Sequence, residues 1–226
     1  MIAENLQRIR ETLRPGVQLV AVSKFHPVEA LQEAYEAGQR IFGESHVQEL
    51  VAKQAVLPHD IEWHFIGHLQ TNKVKYIAPF ISLIHAVDSV KLLKEIDKQA
   101  GKADRVVDVL LQLHVAQEET KFGFTPDELL QMLADGEWKA LSHVRIAGLM
   151  AMASNTDDEE QIAREFDTVA QTFATARERF FADSSSFSQL SMGMSGDYLI
   201  AQQHGSTMVR IGTTIFGQRD YSIHNS

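Results

Sequence analysis

The sequence predicts a single (β/α)8 barrel of the TIM type over residues 1–226, with an extra helix at its N-terminus. Three observations carry that expectation. Short apolar, β-branched runs alternate about eight times with stretches of helical periodicity. The length of 226 residues lies close to the roughly 250 typical of such a barrel. No linker, low-complexity stretch or internal repeat divides the chain. A doubly wound open sheet fits the same periodicities and stands as the alternative.

The elements follow in order. Ile2, Leu6, Ile9 and Leu13 recur at helical spacing, so the chain opens with an amphipathic helix. Val17–Lys24 is an apolar run of the kind that parallel strands show when both faces are covered. Pro27 suits the start of the next helix, and Gly38 is a natural stop. Further strands are expected at Arg40–Gly43, Ile61–Gly67, Ile81–Val87, Val106–His114, Val144–Met152, Phe187–Met192 and Met208–Gly212. Helices fill the gaps: Val47–Gln54, Gln70–Tyr76, a helix from Val90 capped by Asp88-Ser89, and one from Pro126. The longest is opened by the acidic stretch Asn155–Glu160 and runs to about Phe181, and a short one covers Gly196–Gln203.

Composition narrows the function. With 21 basic against 30 acidic residues the formal net charge is −9, which argues against a nucleic-acid partner. The absence of cysteine excludes disulfides and thiolate metal sites. The first residues lack a signal-peptide pattern, and no apolar segment approaches the roughly twenty residues of a membrane span. A soluble, cytoplasmic protein with no membrane association is expected.

In a barrel, reactive groups gather at the carboxyl ends of strands, and phosphate is held near strands seven and eight. Lys24 ends the first strand, as a snorkelling side chain or as a desolvated amine able to form a Schiff base with a carbonyl. With the seventh strand comes Ser191-Met192-Gly193-Met194-Ser195-Gly196-Asp197, and with the eighth Val209-Arg210-Ile211-Gly212-Thr213-Thr214. Both end in turns suited to phosphate. Arg210 lies inside the eighth strand, either to pair with a carboxylate in the barrel or, as a fixed guanidinium, to donate to an unprotonated ring nitrogen. Such an amine, phosphate cradle and arginine together describe a site for pyridoxal 5′-phosphate.

Several other readings fall away. His64 and His68 are four apart but lack the glutamate of a His-Glu-x-x-His zinc motif, and no metal site is expected. Gly193–Asp197 departs from a nucleophile elbow at Asp197, where glycine is required. Met150, Met152, Met192 and Met194 read first as core. Tyr35, Tyr76, Tyr198 and Tyr221 show no spacing that marks a base.

The sequence resembles the pyridoxal phosphate homeostasis protein family, single-domain proteins similar to the barrel half of alanine racemase. The matching stretches are Ala21-Val22-Ser23-Lys24, Phe42-Gly43-Glu44, Trp63 through Lys73, Gly148-Leu149-Met150, Leu190 through Ser195, and Val209 through Gly217. The resemblance implies an internal aldimine on Lys24 and Arg210 facing the pyridine nitrogen. It implies Ser195, Gly196, Gly212 and Thr213 on the phosphate, with Met150 and Ser45 lining the ring. At Ser45-His46 the chain departs from the asparagine that many members carry after Gly-Glu, which puts a side-chain contact there in question. The implied function is to hold the cofactor and contribute to vitamin B6 homeostasis and delivery, with pyridoxal-phosphate-dependent apo-enzymes as partners and without substantial catalysis. The alternative is an amino-acid racemase or decarboxylase of the alanine racemase barrel type. That alternative is disfavoured because no second domain follows Gly217, which also makes a monomer the expectation.

Overall fold

The computed structural model describes residues 1–118 and 122–219. After α1 (Ile2–Thr12) the strands are β1 (Gln18–Val22), β2 (Ile41–Glu44), β3 (Glu62–Phe65), β4 (Leu83–Val87), β5 (Val107–His114), β6 (Val144–Met152), β7 (Gln189–Ser191) and β8 (Met208–Ile211). They are parallel and hydrogen-bonded in chain order into a closed barrel, with β1 pairing both β2 and β8. Closure excludes the open doubly wound sheet. Between and after the strands lie α2 (Val28–Glu36), α3 (Val47–Gln54), α4 (Val74–Ile77), α5 (Val90–Lys102), α6 (Pro126–Asp135), α7 (Glu159–Phe180), α8 (Tyr198–Gln203) and α9 (Thr213–Phe216).

Local chemistry explains the helix starts. Ser89 accepts from the Leu92 amide to cap α5, and Asp158 accepts from the Gln161 amide to cap α7. Thr125 and Glu128 form a reciprocal capping box on α6, whose first residue is Pro126. Most expected strands are one to three residues shorter in the structure, because the ladder ends where chains turn into the loops. The segment expected as a helix over Gln70–Tyr76 is a 3-10 turn (Thr71–Lys73) running into the short α4. A second 3-10 turn (Glu137–Ala140) and α9 were not expected. The tail residues 220–226, with Tyr221, lie outside the described residues.

The period of two along each strand sorts residues into two layers. Leu19, Ala21, Phe42, Trp63, Phe65, Ile84, Leu149 and Val209 belong to the large apolar shell between sheet and helices. Their alternates Val20, Leu83, Leu110, Ala147, Met150 and Met208 form a separate small cluster inside the barrel. Gly148 serves the closure of the barrel. Its φ is 151°, and a Cβ there would stand 1.7 Å from the Gln189 carbonyl oxygen, where β6 shifts register against β5 and meets β7.

Candidate functional site: the mouth of the barrel

Inward parity on β1 runs through Gln18, Val20 and Val22 to Lys24, two residues past the strand end. Lys24 is half-buried there. Phe25 then takes a left-handed φ of 64°, turning the chain sharply away from the lysine. Its amide donates to Glu49 Oε1 at 2.7 Å, which anchors the turn to α3. Behind it Lys53 Nζ donates to the Ser23 carbonyl (2.8 Å), Glu44 Oε1 (2.7 Å) and Glu49 Oε1 (2.7 Å). Ser23 Oγ also donates to Glu44 Oε1, at 2.6 Å. Two carboxylates thus share one ammonium in a buried buttress. Burial pushes Glu44 up to about 7 despite Lys53.

The Lys24 amine is held below the usual lysine range, first by burial and then by the charge of Arg219, against the opposing pull of Glu44 and Glu49. A larger share of the amine is therefore neutral and nucleophilic near neutral pH than for an exposed lysine.

Arg210 is 4% exposed in β8. Nη2 donates to the Ala151 carbonyl at 3.0 Å and Nη1 to Ser191 Oγ. Among the described residues no carboxylate forms an ion pair with it. Burial brings it down to about 10, with Asp197 opposing through space. A buried cation held only by neutral acceptors suits an electron-rich neutral ligand atom, such as an unprotonated ring nitrogen.

The phosphate residues come together on β7 and β8. Ser206 Oγ donates to the carbonyls of Met192 (2.7 Å) and Met208 (2.9 Å), and the Arg210 amide donates to the Gly193 carbonyl at 2.9 Å, tying the loop to β8. Asp197 Oδ1 accepts from the Met194 amide at 2.6 Å and closes the turn. Thr213 Oγ1 lies 3.4 Å from Ser195 Oγ, so the two loops present adjacent hydroxyls. A Cβ at Gly196 would meet nothing within 4 Å, whereas one at Gly212 would stand 3.1 Å from the Val22 carbonyl oxygen. The residue set fits a phosphorylated, aromatic aldehyde on three counts: an amine, an arginine whose side chain is held by neutral acceptors, and a hydroxyl-bearing cradle.

Met150 is buried in β6, opposite Ser191 in the register. Ser45 follows β2, half-buried, and Gly67 exists as glycine because a Cβ would stand 2.6 Å from the Ser45 carbonyl oxygen. The predicted site residues therefore occupy five neighbouring strand ends, in the order β2, β1, β8, β7, β6. His68 follows β3, and among the described residues no cluster suited to a metal ion occurs. Met152 and Met194, read from sequence as core, are 41% and 36% exposed. They line a cavity of about 370 Å³ with Gln112, His114 and Phe122 at the strand ends across the mouth. The sequence assigned no side-chain role to Ser191, His85, Glu44 or Lys53, although each is a polar residue buried beside apolar neighbours.

Comparison with known proteins places the chain in a family. The family model described as alanine racemase, N-terminal domain, matches residues 1–220. The pyridoxal phosphate homeostasis protein of Vibrio alginolyticus is 39% identical, covering 98% of this chain and 99% of its own. That of Escherichia coli K12 is 36% identical, covering 98% of each. PipY of Synechococcus elongatus, solved with pyridoxal phosphate bound, superposes with a TM-score of 0.86 at 38% identity, covering 96% of this chain and 100% of that one. Alanine racemase of Clostridium difficile shares the fold, with a TM-score of 0.75 at 13% identity over 56% of its length. The chain belongs to the pyridoxal phosphate homeostasis protein family and carries the alanine racemase N-terminal domain along almost its whole length.

Proposed function

We infer that this protein binds pyridoxal 5′-phosphate covalently at Lys24 and holds it for release, contributing to vitamin B6 homeostasis in the cytoplasm as a monomer. The observation that carries the reading is the pairing of a desolvated Lys24 amine with Arg210, a buried guanidinium that has only neutral acceptors, on adjacent strands of one barrel mouth. When bound, the cofactor supplies an aldehyde that an amine can capture. Lys24 Nζ, in its neutral form, would be the nucleophile that holds that aldehyde reversibly. Arg210 would donate toward the ring nitrogen and, as a fixed cation, would disfavour its protonation. Ser195, Thr213 and the Gly196 and Gly212 backbones hold the phosphate. Met150 and Ser45 border the ring.

An unprotonated ring withdraws electrons weakly, so this arrangement favours holding over carbanion chemistry. A reversible link would allow handover to apo-enzymes. The test is to mix the loaded protein with a pyridoxal-phosphate-dependent apo-enzyme and follow reactivation together with loss of visible absorbance. Reactivation with no measurable racemisation or decarboxylation of free amino acids is expected. Turnover of about 1 s⁻¹ or faster would show an enzyme instead.

A further inference from the structure

A line of polar side chains runs up the barrel axis behind the proposed cofactor site. His64 of β3 and His85 of β4 have ring centroids 5.1 Å apart, and His64 Nδ1 is 3.0 Å from His85 Nε2. His85 Nδ1 lies 2.9 Å from Ser191 Oγ, which also receives Arg210 Nη1. All four side chains are buried. At its lower end His64 lines a polar cavity of about 400 Å³ at the base of the barrel, formed by strand starts such as Gln18, Glu62, Asp108 and Gln189.

Hydrogen-bonding capacity gives the line a direction. A guanidinium only donates, so Ser191 accepts from Arg210, and its one proton is available for His85 Nδ1. His85 then carries its proton on Nε2 and donates to His64 Nδ1. His64 keeps its own proton on Nε2, the nitrogen left over beside the base cavity. In the opposite direction Ser191 would accept twice, and no acceptor for its hydroxyl proton is found among the described residues. Burial holds His64 down to about 3 and His85 well below the usual histidine range, so the line adds no second cation beside Arg210.

We propose that His85, acting through Ser191, is the positioning residue for Arg210: it takes the serine proton, turns the serine lone pairs onto the guanidinium and so sets where the fixed charge stands against the cofactor ring. This rests on the pyridoxal-phosphate reading above. A merely structural hydrogen bond would affect folding stability without changing the bound chromophore.

The test is titration of Ser191→Ala, His85→Leu, their double variant and His85→Asn with pyridoxal phosphate, reading apparent affinity and the visible band, with circular dichroism as the fold control. Each single variant is expected to weaken binding about tenfold and to move the band, since a hydrogen bond to a charged group is lost. The double variant should be no worse than either single, because both act through one line. His85→Asn, which returns an acceptor near the Nδ1 position, should recover most of the affinity. Folded single variants within twofold of wild type and with an unmoved band overturn the proposal, as do effects that multiply in the double variant. Should His85→Leu fail to fold, Ser191→Ala decides by the same criteria. A wild-type protein that gives no visible band with pyridoxal phosphate overturns the cofactor reading instead.

Discussion

The layer outside the barrel wall and the space inside it are built on opposite terms. Outside, Phe42, Phe65, Phe166 and Phe187 are fully buried among leucines and isoleucines, and Phe181 stacks on Phe187 with centroids 4.2 Å apart. Inside, a small apolar cluster around Val20, Leu110 and Met150 shares the space with His64, His85, Ser191 and Arg210. The shell gains its stability from burial of apolar area and can be rebuilt with other residues of similar volume. The interior keeps a cation and two neutral histidines out of water, which stabilises the fold little and positions groups at the mouth. Stability and site are thus carried by alternate residues of the same strands, as Leu19 and Val20, or Val209 and Arg210, illustrate.

The largest effect that would break this division lies in the shell. Phe166→Ala removes a fully buried ring of α7 and is expected to cost about 4 kcal/mol in denaturant unfolding. The folded fraction of that variant should still take up cofactor with unchanged affinity. Weakened binding in the folded fraction would mean that shell and interior are not separable.

A smaller effect tests the interior by pH. His64 and His85 have folded-state values depressed below the ordinary 6.5, so their contribution is present above that pH and is lost as pH falls toward the folded values. Together they should remove about 2 kcal/mol between pH 6.5 and 5.5. Glu44 works the other way. Its folded value is raised from 4.5 to about 7, so it stabilises the fold at low pH and that contribution is lost as pH rises through about 7. Over the same interval Glu44 offsets about 1 kcal/mol of the histidine loss. Urea midpoints across pH should therefore fall more steeply in Glu44→Gln than in wild type. Equal slopes would remove the raised carboxyl from the account, and a Glu44→Gln midpoint that does not fall between pH 6.5 and 5.5 would remove the buried histidines.

The smallest stability effect is expected at Arg210. Arg210→Met deletes a buried cation that has no ion-pair partner among the described residues, which favours folding, and leaves Ser191 Oγ and the Ala151 carbonyl without that donor, which opposes it. The net change should lie within about 1 kcal/mol, while cofactor affinity drops severely. A variant that lost stability and kept its affinity would place Arg210 among the structural residues.

Much of this was readable before the structure. Lys24, Arg210, Gly212 and Thr213 stand at or beside the ends of two clear apolar runs, and the barrel geometry alone brings those ends together. Met150 and Ser45 were legible only through family resemblance, because a buried methionine and a loop serine carry no distinctive local pattern. The polar line was not legible, since its meaning is non-local: His85 sits inside Leu83-Ile84-His85-Ala86-Val87 and meets Ser191 106 positions later. Period-two parity was the available signal, for His64, His85, Ser191 and Arg210 all fall on inward positions. Phe25 and its left-handed turn were also missed, because a phenylalanine gives no sequence sign of positive φ. Met152 and Met194 show the converse error: both are apolar, but they stand at the mouth, where the shell no longer covers them.

The central claim is tested most directly by borohydride reduction of the protein with pyridoxal phosphate, followed by mass mapping of the digested chain. The account predicts a single modified peptide carrying the reduced cofactor on Lys24, and its disappearance in a folded Lys24→Ala variant. Modification at another lysine in the wild-type protein, or the same added mass persisting in Lys24→Ala, would contradict it.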